Sequence, residues 1–287
     1  MNIQQWYKTG DWFDHEGHRI FYRVEGEGQP LLLIHGYPTA SWDWNKIWQP
    51  LAQRFQCIAL DMLGFGYSDK PQQPYRISQQ ADIHCALINK LALDTCHVVS
   101  HDYGDTVAQE LLARQNEGEL NFRLSSLVLL NGGLFPEAHH PVLTQKLLLG
   151  PMGGLLARMM SRQTLAKNLK KIFGPDTQPD EREIDEFWQL ICQNEGKRVM
   201  HRLIHYMVER RTNRERWVGA LQETCIPLRL IDGMADPISG AHMVKRYEQL
   251  VPNADVVRLE NVGHYPQVEA PQQVLAAILE KIARSND

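Results

Sequence analysis

Six short, largely apolar runs constrain the fold more than any other feature of this chain: Pro30–Ile34, Cys57–Asp61, His97–Ser100, Leu127–Asn131, Leu228–Asp232 and Val256–Leu259. Each is short for a helix and carries too few polar positions for a half-exposed strand, the pattern of a strand covered on both faces. Segments with helical patterning separate them: Trp42–Phe55, Ala81–Leu93, Thr106–Gln115, Ala241–Leu250 and Gln272–Arg284. Strand and helix alternating in this way predict an α/β fold, a mostly parallel sheet flanked by helices. Trp12–Val24 precedes them and reads as a hairpin turning near Glu16-Gly17.

One stretch interrupts the alternation. From Phe135 to Leu221 the pattern is helical without a buried strand, and prolines mark both of its ends. This predicts a helical insertion after the sixth strand, residues 135–221, capping a core of residues 1–134 and 222–287. The balance of composition narrows the function classes. A net charge of −4 with no dominant Lys/Arg block gives nucleic-acid binding no support. No stretch is long and apolar enough to span a bilayer, and the first residues lack the blocks of a signal peptide. Five cysteines, an odd number with no C-x-x-C pair, predict reduced core residues of a cytoplasmic protein. His201, His205 and Glu209 share a helical spacing, but no H-E-x-x-H signature accompanies them, and neither metal nor cofactor is expected. Arg210, Arg211 and Arg216 read as a solvated face.

In a parallel sheet of this kind the active site lies at the carboxyl ends of the strands. His35, Asp61, Asp102, Asn131 and Asp236 all follow strand runs. The segment Val98–Asp105 reads as a strand, a sharp turn and an immediate helix, which is the setting of a nucleophile elbow. Ser100 and Gly104 supply the small flanking positions, and the nucleophile position holds Asp102. A frame shift to Ser100 would place Val98 and Asp102 at the flanks, where the turn has no room for them. Asp102 as a plain helix N-cap is the bland alternative. Asp236 and His264 follow in the order nucleophile, acid, histidine. Asp232 competes as the acid, whereas Asn131 supplies no charge. The turn at His35-Gly36-Tyr37-Pro38 and the start of the helix after Asp102 offer the backbone N–H groups of Tyr37 and Tyr103 as an oxyanion hole.

With these landmarks in order, the chain resembles α/β-hydrolases of the epoxide hydrolase and haloalkane dehalogenase superfamily. His101–Leu111, Asn131–Glu137 and Arg216–Leu221 are similar, more narrowly, to the mesoderm-specific transcript proteins. The resemblance runs from about Trp12 to the last helix. It implies that Asp102 attacks a saturated carbon to form an alkyl-enzyme ester, that His264 activates the water that cleaves it, and that Asp236 orients His264. It also implies a small apolar electrophile as the partner, with epoxides first and haloalkanes or haloacids second. Ester hydrolysis or acyl transfer through Ser100, or binding without turnover, are the other readings. Family dehalogenases hold the halide with Asn and Trp, where this chain has Tyr37 and Tyr103. Family epoxide hydrolases protonate the ring oxygen from two tyrosines of the insertion. Tyr206 stands where the second of these falls, and no tyrosine lies in the first half. His205, or His139 and His140, would substitute. His35 and Trp42 complete the expected proton-donating or substrate-binding set. The oligomeric state is not legible in the sequence.

Overall fold

A computed structural model describes residues 1–285. The eight strands are β1 (Asp11–His15), β2 (His18–Glu25), β3 (Gln29–Ile34), β4 (Phe55–Leu60), β5 (Thr95–His101), β6 (Arg123–Leu130), β7 (Leu228–Gly233) and β8 (Val256–Leu259). They form one sheet in the order β1-β2-β4-β3-β5-β6-β7-β8. β3 to β8 run parallel to their neighbours, and the β1–β2 hairpin is added antiparallel to β4. The hairpin turns at Glu16 and Gly17, both with positive φ.

The apolar runs are buried on both faces because alternate residues enter different cores. In β3, Leu32 and Ile34 pack on one side and Leu31 and Leu33 on the other. Parallel register then fixes the site. Ile34 pairs with Ser100, so the loops leaving β3 and β5 emerge side by side at one edge of the sheet.

The flanking helices begin with α1 (Ile3–Lys8), α2 (Asn45–Ala52), α3 (Ile77–Lys90) and α4 (Tyr103–Asn116). Between β6 and β7 every described helix or strand is helical: α5 (Leu143–Leu149), α6 (Gly153–Met159), α7 (Arg162–Ile172), α8 (Glu181–Cys192), a 3-10 stretch, α9 (Met200–Leu203), α10 (Tyr206–Thr212) and α11 (Arg214–Glu223). The chain then closes with α12 (Ala241–Leu250), α13 (Pro266–Glu269) and α14 (Pro271–Arg284).

Two expectations need correction. Trp42–Phe55 is not one helix: a 3-10 turn, Ser41–Trp44, precedes α2, and Phe55 already belongs to β4. Phe55 pairs with Gln29 of β3, and sheet pairing overrides the helical pattern there. The helix α1 was not anticipated. Asn2 and Gln5 form a reciprocal capping box at its start, and buried Trp6 packs edge-on against Trp42 and Trp48. The N-x-x-Q spacing was its one local signal.

Candidate active site

β5 ends at His101, and the chain reverses at Asp102 with φ 48° and ψ −104°. The turn is so tight that a Cβ on Gly104 would lie 2.5 Å from the Ile34 carbonyl oxygen. That conformation is costly for a non-glycine residue and persists because the surroundings over-determine it. The Asp102 side chain does not cap α4. Its Oδ2 accepts from the Tyr37 N–H at 3.1 Å, and its Oδ1 faces the Tyr206 hydroxyl at 3.4 Å. Tyr103 opens α4, so its N–H is among the helix-start donors that lack an intrahelical acceptor.

Asp102 is buried, which pushes its carboxyl up. The neighbouring His264 and Arg210 cations outweigh that and hold it below the usual carboxylate range. His264 Nδ1 lies 2.7 Å from Asp236 Oδ2. Burial opposes the imidazolium, but Asp236 and Asp102 together lift its pKa to about 9. Asp236 accepts in addition from the N–H groups of Ile238 and Ser239, the Ser239 hydroxyl and the Asn131 amide. Asn131 thus holds the acid in place rather than replacing it. Asp232 is buried with neither oxygen partnered among the described residues, and burial raises it well above the usual range. The acid beside His264 is Asp236, not Asp232.

The loop that carries His264 is clamped to the insertion. The His264 N–H donates to the Ile172 carbonyl at 2.8 Å. Glu269 Oε2 accepts from both the Gly174 and Gly263 N–H groups. The His101 ring, pushed down to about 4 by burial, donates from Nε2 to the His264 carbonyl at 2.7 Å.

Four of the expected substrate or proton-donating residues are engaged with other groups or face outward. His35 is locked: Nδ1 donates to the Gly36 carbonyl at 2.8 Å and Nε2 accepts from the Met62 N–H at 3.0 Å, so it has no proton to offer. His205 is exposed and lines an outer groove with Tyr75 and Val208, although Tyr206 beside it points inward. A helix turns successive side chains through about 100°, so neighbours do not share a face. Trp42 is buried and donates from Nε1 to Glu186 of α8 at 2.9 Å, a strut between core and insertion. Replacing Trp42 by Phe should cost about 2–4 kcal/mol in a urea titration, the worth of a hydrogen bond to a carboxylate plus the buried volume lost, and leave turnover almost unchanged. His140 is exposed and stacks on His242. Ser100, the alternative nucleophile, donates its hydroxyl to Asp105 at 2.5 Å and faces no base.

Arg210 was misread as surface. It is only 3% exposed. Its Nη2 donates to the Asp102 carbonyl at 2.9 Å and lies 3.8 Å from Asp102 Oδ1, while Nε donates to the Thr106 hydroxyl at 2.6 Å. The guanidinium also sits over the Tyr206 ring, 4.4 Å from its centre. Room for it exists because residue 133 is glycine: a Cβ there would be 2.1 Å from Arg210 Nη1. The missed signal was the i, i+4 spacing from Tyr206, which turns both residues to one side of α10. Arg211 is exposed, and Arg216 pairs with Glu110 and Glu117. His139 reaches the same neighbourhood, with both ring nitrogens unpartnered among the described residues, and burial pushes it down to about 3. The His201–His205–Glu209 row breaks between α9 and α10, and Glu209 accepts from the Ile77 N–H. Among the described residues no group of three or more His, Cys, Asp or Glu could hold a metal ion.

A cavity of about 80 Å³ opens beside His264, walled by Tyr37, Tyr265, Leu148, Leu169 and Met200. It is apolar, with few polar groups converging on it, as small-molecule sites commonly are.

Residues 29–271 match the alpha/beta hydrolase fold family. The chain belongs to that family. It is 41% identical over 290 residues to the mesoderm-specific transcript protein of Mus musculus, spanning 96% of this chain and 87% of the relative. It is 35% identical over 281 residues to the putative hydrolase LipZ of Mycobacterium tuberculosis, spanning 97% of each. The hydrolase fold is shared with the epoxide hydrolase CorEH, at a TM-score of 0.79 and 23% identity, covering 96% of this chain and 99% of that one. Haloalkane dehalogenase DbeA from Bradyrhizobium elkani shares it at 0.81 and 22%, covering 96% and 98%. At those identities the likeness carries the fold alone. No described helix is long and apolar enough to cross a membrane.

Proposed function

We propose that this hydrolase opens small apolar epoxides to diols through an ester on Asp102. The observation that carries the reading is the convergence of a phenol and a backbone N–H on one buried, ionised carboxylate, with Tyr206 at 3.4 Å and Tyr37 at 3.1 Å.

In the first step one Asp102 oxygen attacks a ring carbon, the C–O bond of the epoxide breaks, and the ring oxygen takes the Tyr206 proton. Burial and the Asp102 charge hold the Tyr206 hydroxyl protonated in the resting protein. Once Asp102 is an ester its charge is gone, and Arg210 over the ring stabilises the phenolate. In the second step His264 takes a proton from water as the water adds to the ester carbon. The oxyanion that forms on the Asp102 oxygen faces the Tyr37 N–H. Collapse passes the remaining proton of the added water to the departing alkoxide, releases the diol and leaves Asp102 ionised beside the His264 imidazolium, and the Tyr206 phenolate recovers its proton from solvent. Dehalogenases of this superfamily hold the departing halide with Asn and Trp side chains, and this chain has Tyr37 and Tyr103 there instead.

The charges set a pH dependence. His264 is an imidazolium in the resting protein and must lose its proton before the second step. Esterification removes the Asp102 contribution, so the imidazolium of the ester form is more acidic than about 9. Turnover at saturating substrate should therefore rise with pH through a pKa below that value. The Asp102→Asn variant should titrate at His264 lower than the wild type, as read by NMR of the ring protons; an unchanged value would show that the two groups do not interact.

The reading is tested by incubating the purified protein with a panel of terminal alkyl and aryl epoxides and of haloalkanes, following diol and halide separately. A single turnover in heavy-oxygen water should leave the first diol unlabelled and place the label in Asp102. Label in the first diol, or halide release without diol formation across the panel, would reject the proposal.

A further inference from the structure

A second surface lies on the outer side of the insertion. Leu143 and Leu147 lie one turn apart on α5, and Leu155 and Met159 one turn apart on α6, with Met152 between the helices. These five side chains are 49–70% exposed, and they supply most of the exposed large hydrophobics of the described chain. The opposite faces are anchored by buried Leu148 and Ala157. Apolar side chains collected on one outer face, rather than scattered singly, mark an interaction site.

The charge around this face is as uneven as its polarity. Residues 138–175 hold six basic side chains, Lys146, Arg158, Arg162, Lys167, Lys170 and Lys171, and no Asp or Glu, in a chain whose net charge is −4. Arg162 pairs with Glu181 and Asp185. The other five enter no ion pair among the described residues, and all five are exposed. An exposed apolar face bordered by unpaired cations complements an anionic lipid surface, in which side chains enter the acyl boundary and lysines meet the headgroups. Two copies meeting through this face would bring like charges together, which disfavours a dimer here.

The face is also continuous with the site. A cleft between α5 and α6 shares Thr144, Leu148 and Met160 with the cavity beside His264. We propose that the outer face of α5 and α6 docks on anionic membranes and that apolar substrate partitions from the bilayer into the cavity through this shared wall. Docking is independent of the epoxide reading; only the supply of substrate rests on it.

The test is co-sedimentation of the full chain with vesicles of phosphatidylcholine and phosphatidylglycerol in equal parts, and with phosphatidylcholine alone, at low and high salt. Binding should be at least about tenfold stronger to the anionic vesicles and should weaken with salt. The pair Leu143→Glu and Met159→Glu should abolish it. The triple change Lys146→Glu, Arg158→Glu, Lys167→Glu should weaken it by roughly a hundredfold. Circular dichroism and turnover of a water-soluble epoxide should stay at wild-type level in both. No sedimentation above the phosphatidylcholine control, with the wild type folded, overturns the proposal. So does a concentration-dependent dimer that Leu143→Glu and Met159→Glu dissolve, which would assign the face to a second copy. Vesicle binding without any epoxide turnover would uphold docking and reject the reaction alone.

Discussion

His264→Gln should yield a protein that completes the first half of the reaction and stalls. Glutamine keeps a polar group opposite Asp236 but has no basic nitrogen to take a proton from water. Asp102 remains able to attack, because Arg210 still lies 3.8 Å from its Oδ1. Intact mass spectrometry should then show one substrate added per chain, and peptide mapping should place it on Asp102. Release of diol should slow by about 10²–10⁴-fold, the usual worth of general-base assistance. An adduct on Ser100, or no adduct with a substrate that the wild type turns over, would reject the ester. A serine product is disfavoured in advance by the Ser100 hydroxyl, which is committed to Asp105.

Arg210→Met should damage both stability and chemistry, in a way that separates charge from packing. The buried ionised groups of the site are Asp102 and Asp236, held below the usual carboxylate range, His264, raised to about 9, and Arg210. Two negative and two positive charges cancel at neutral pH. The neighbouring histidines do not disturb that balance, since burial holds His35 and His139 near 3 and His101 near 4. Burial pushes Asp105 and Asp232 up, against ionisation. Methionine in place of Arg210 leaves one uncompensated negative charge in the interior, which should cost about 3–5 kcal/mol. Asp102 should respond by binding protons more readily, so the acid limb of the rate profile should move to higher pH. Arg210→Lys restores the charge without the planar fork and should recover the acid limb more fully than the rate. If Met and Lys gave the same pH profile, Arg210 would act through packing only.

The parts of the fold that could be read from sequence are those where neighbours along the chain carry the information. The six apolar runs became six adjacent strands because burial on both faces leaves its mark at every position of a run. That Asp102, His264 and Asp236 come together was legible because each follows a strand, and strand ends in a parallel sheet share one edge. Residues whose meaning depends on the insertion were not legible in this way. His205 and Tyr206 are adjacent in sequence and opposite in space; Arg210 and Arg211 repeat the lesson four residues later. Only the rotation of α10 about its axis separates a guanidinium at the heart of the site from one in water, and packing against Thr106 and Asp102 sets that rotation. Trp42 and His35 failed for another reason. Their polar atoms are consumed by Glu186 and by the Gly36 and Met62 backbone, partners distant or unmarked in sequence.

The bond from the His264 N–H to the Ile172 carbonyl, reinforced by Glu269 between Gly174 and Gly263, makes the end of α7 part of the support of His264. The roof over the cavity therefore cannot be hoisted as one piece without unseating the imidazole beneath it. In the proposed reaction, substrate and diol would pass the portions of the roof that are free of this tie, and changes near residue 173 should alter hydrolysis of the ester while leaving its formation intact.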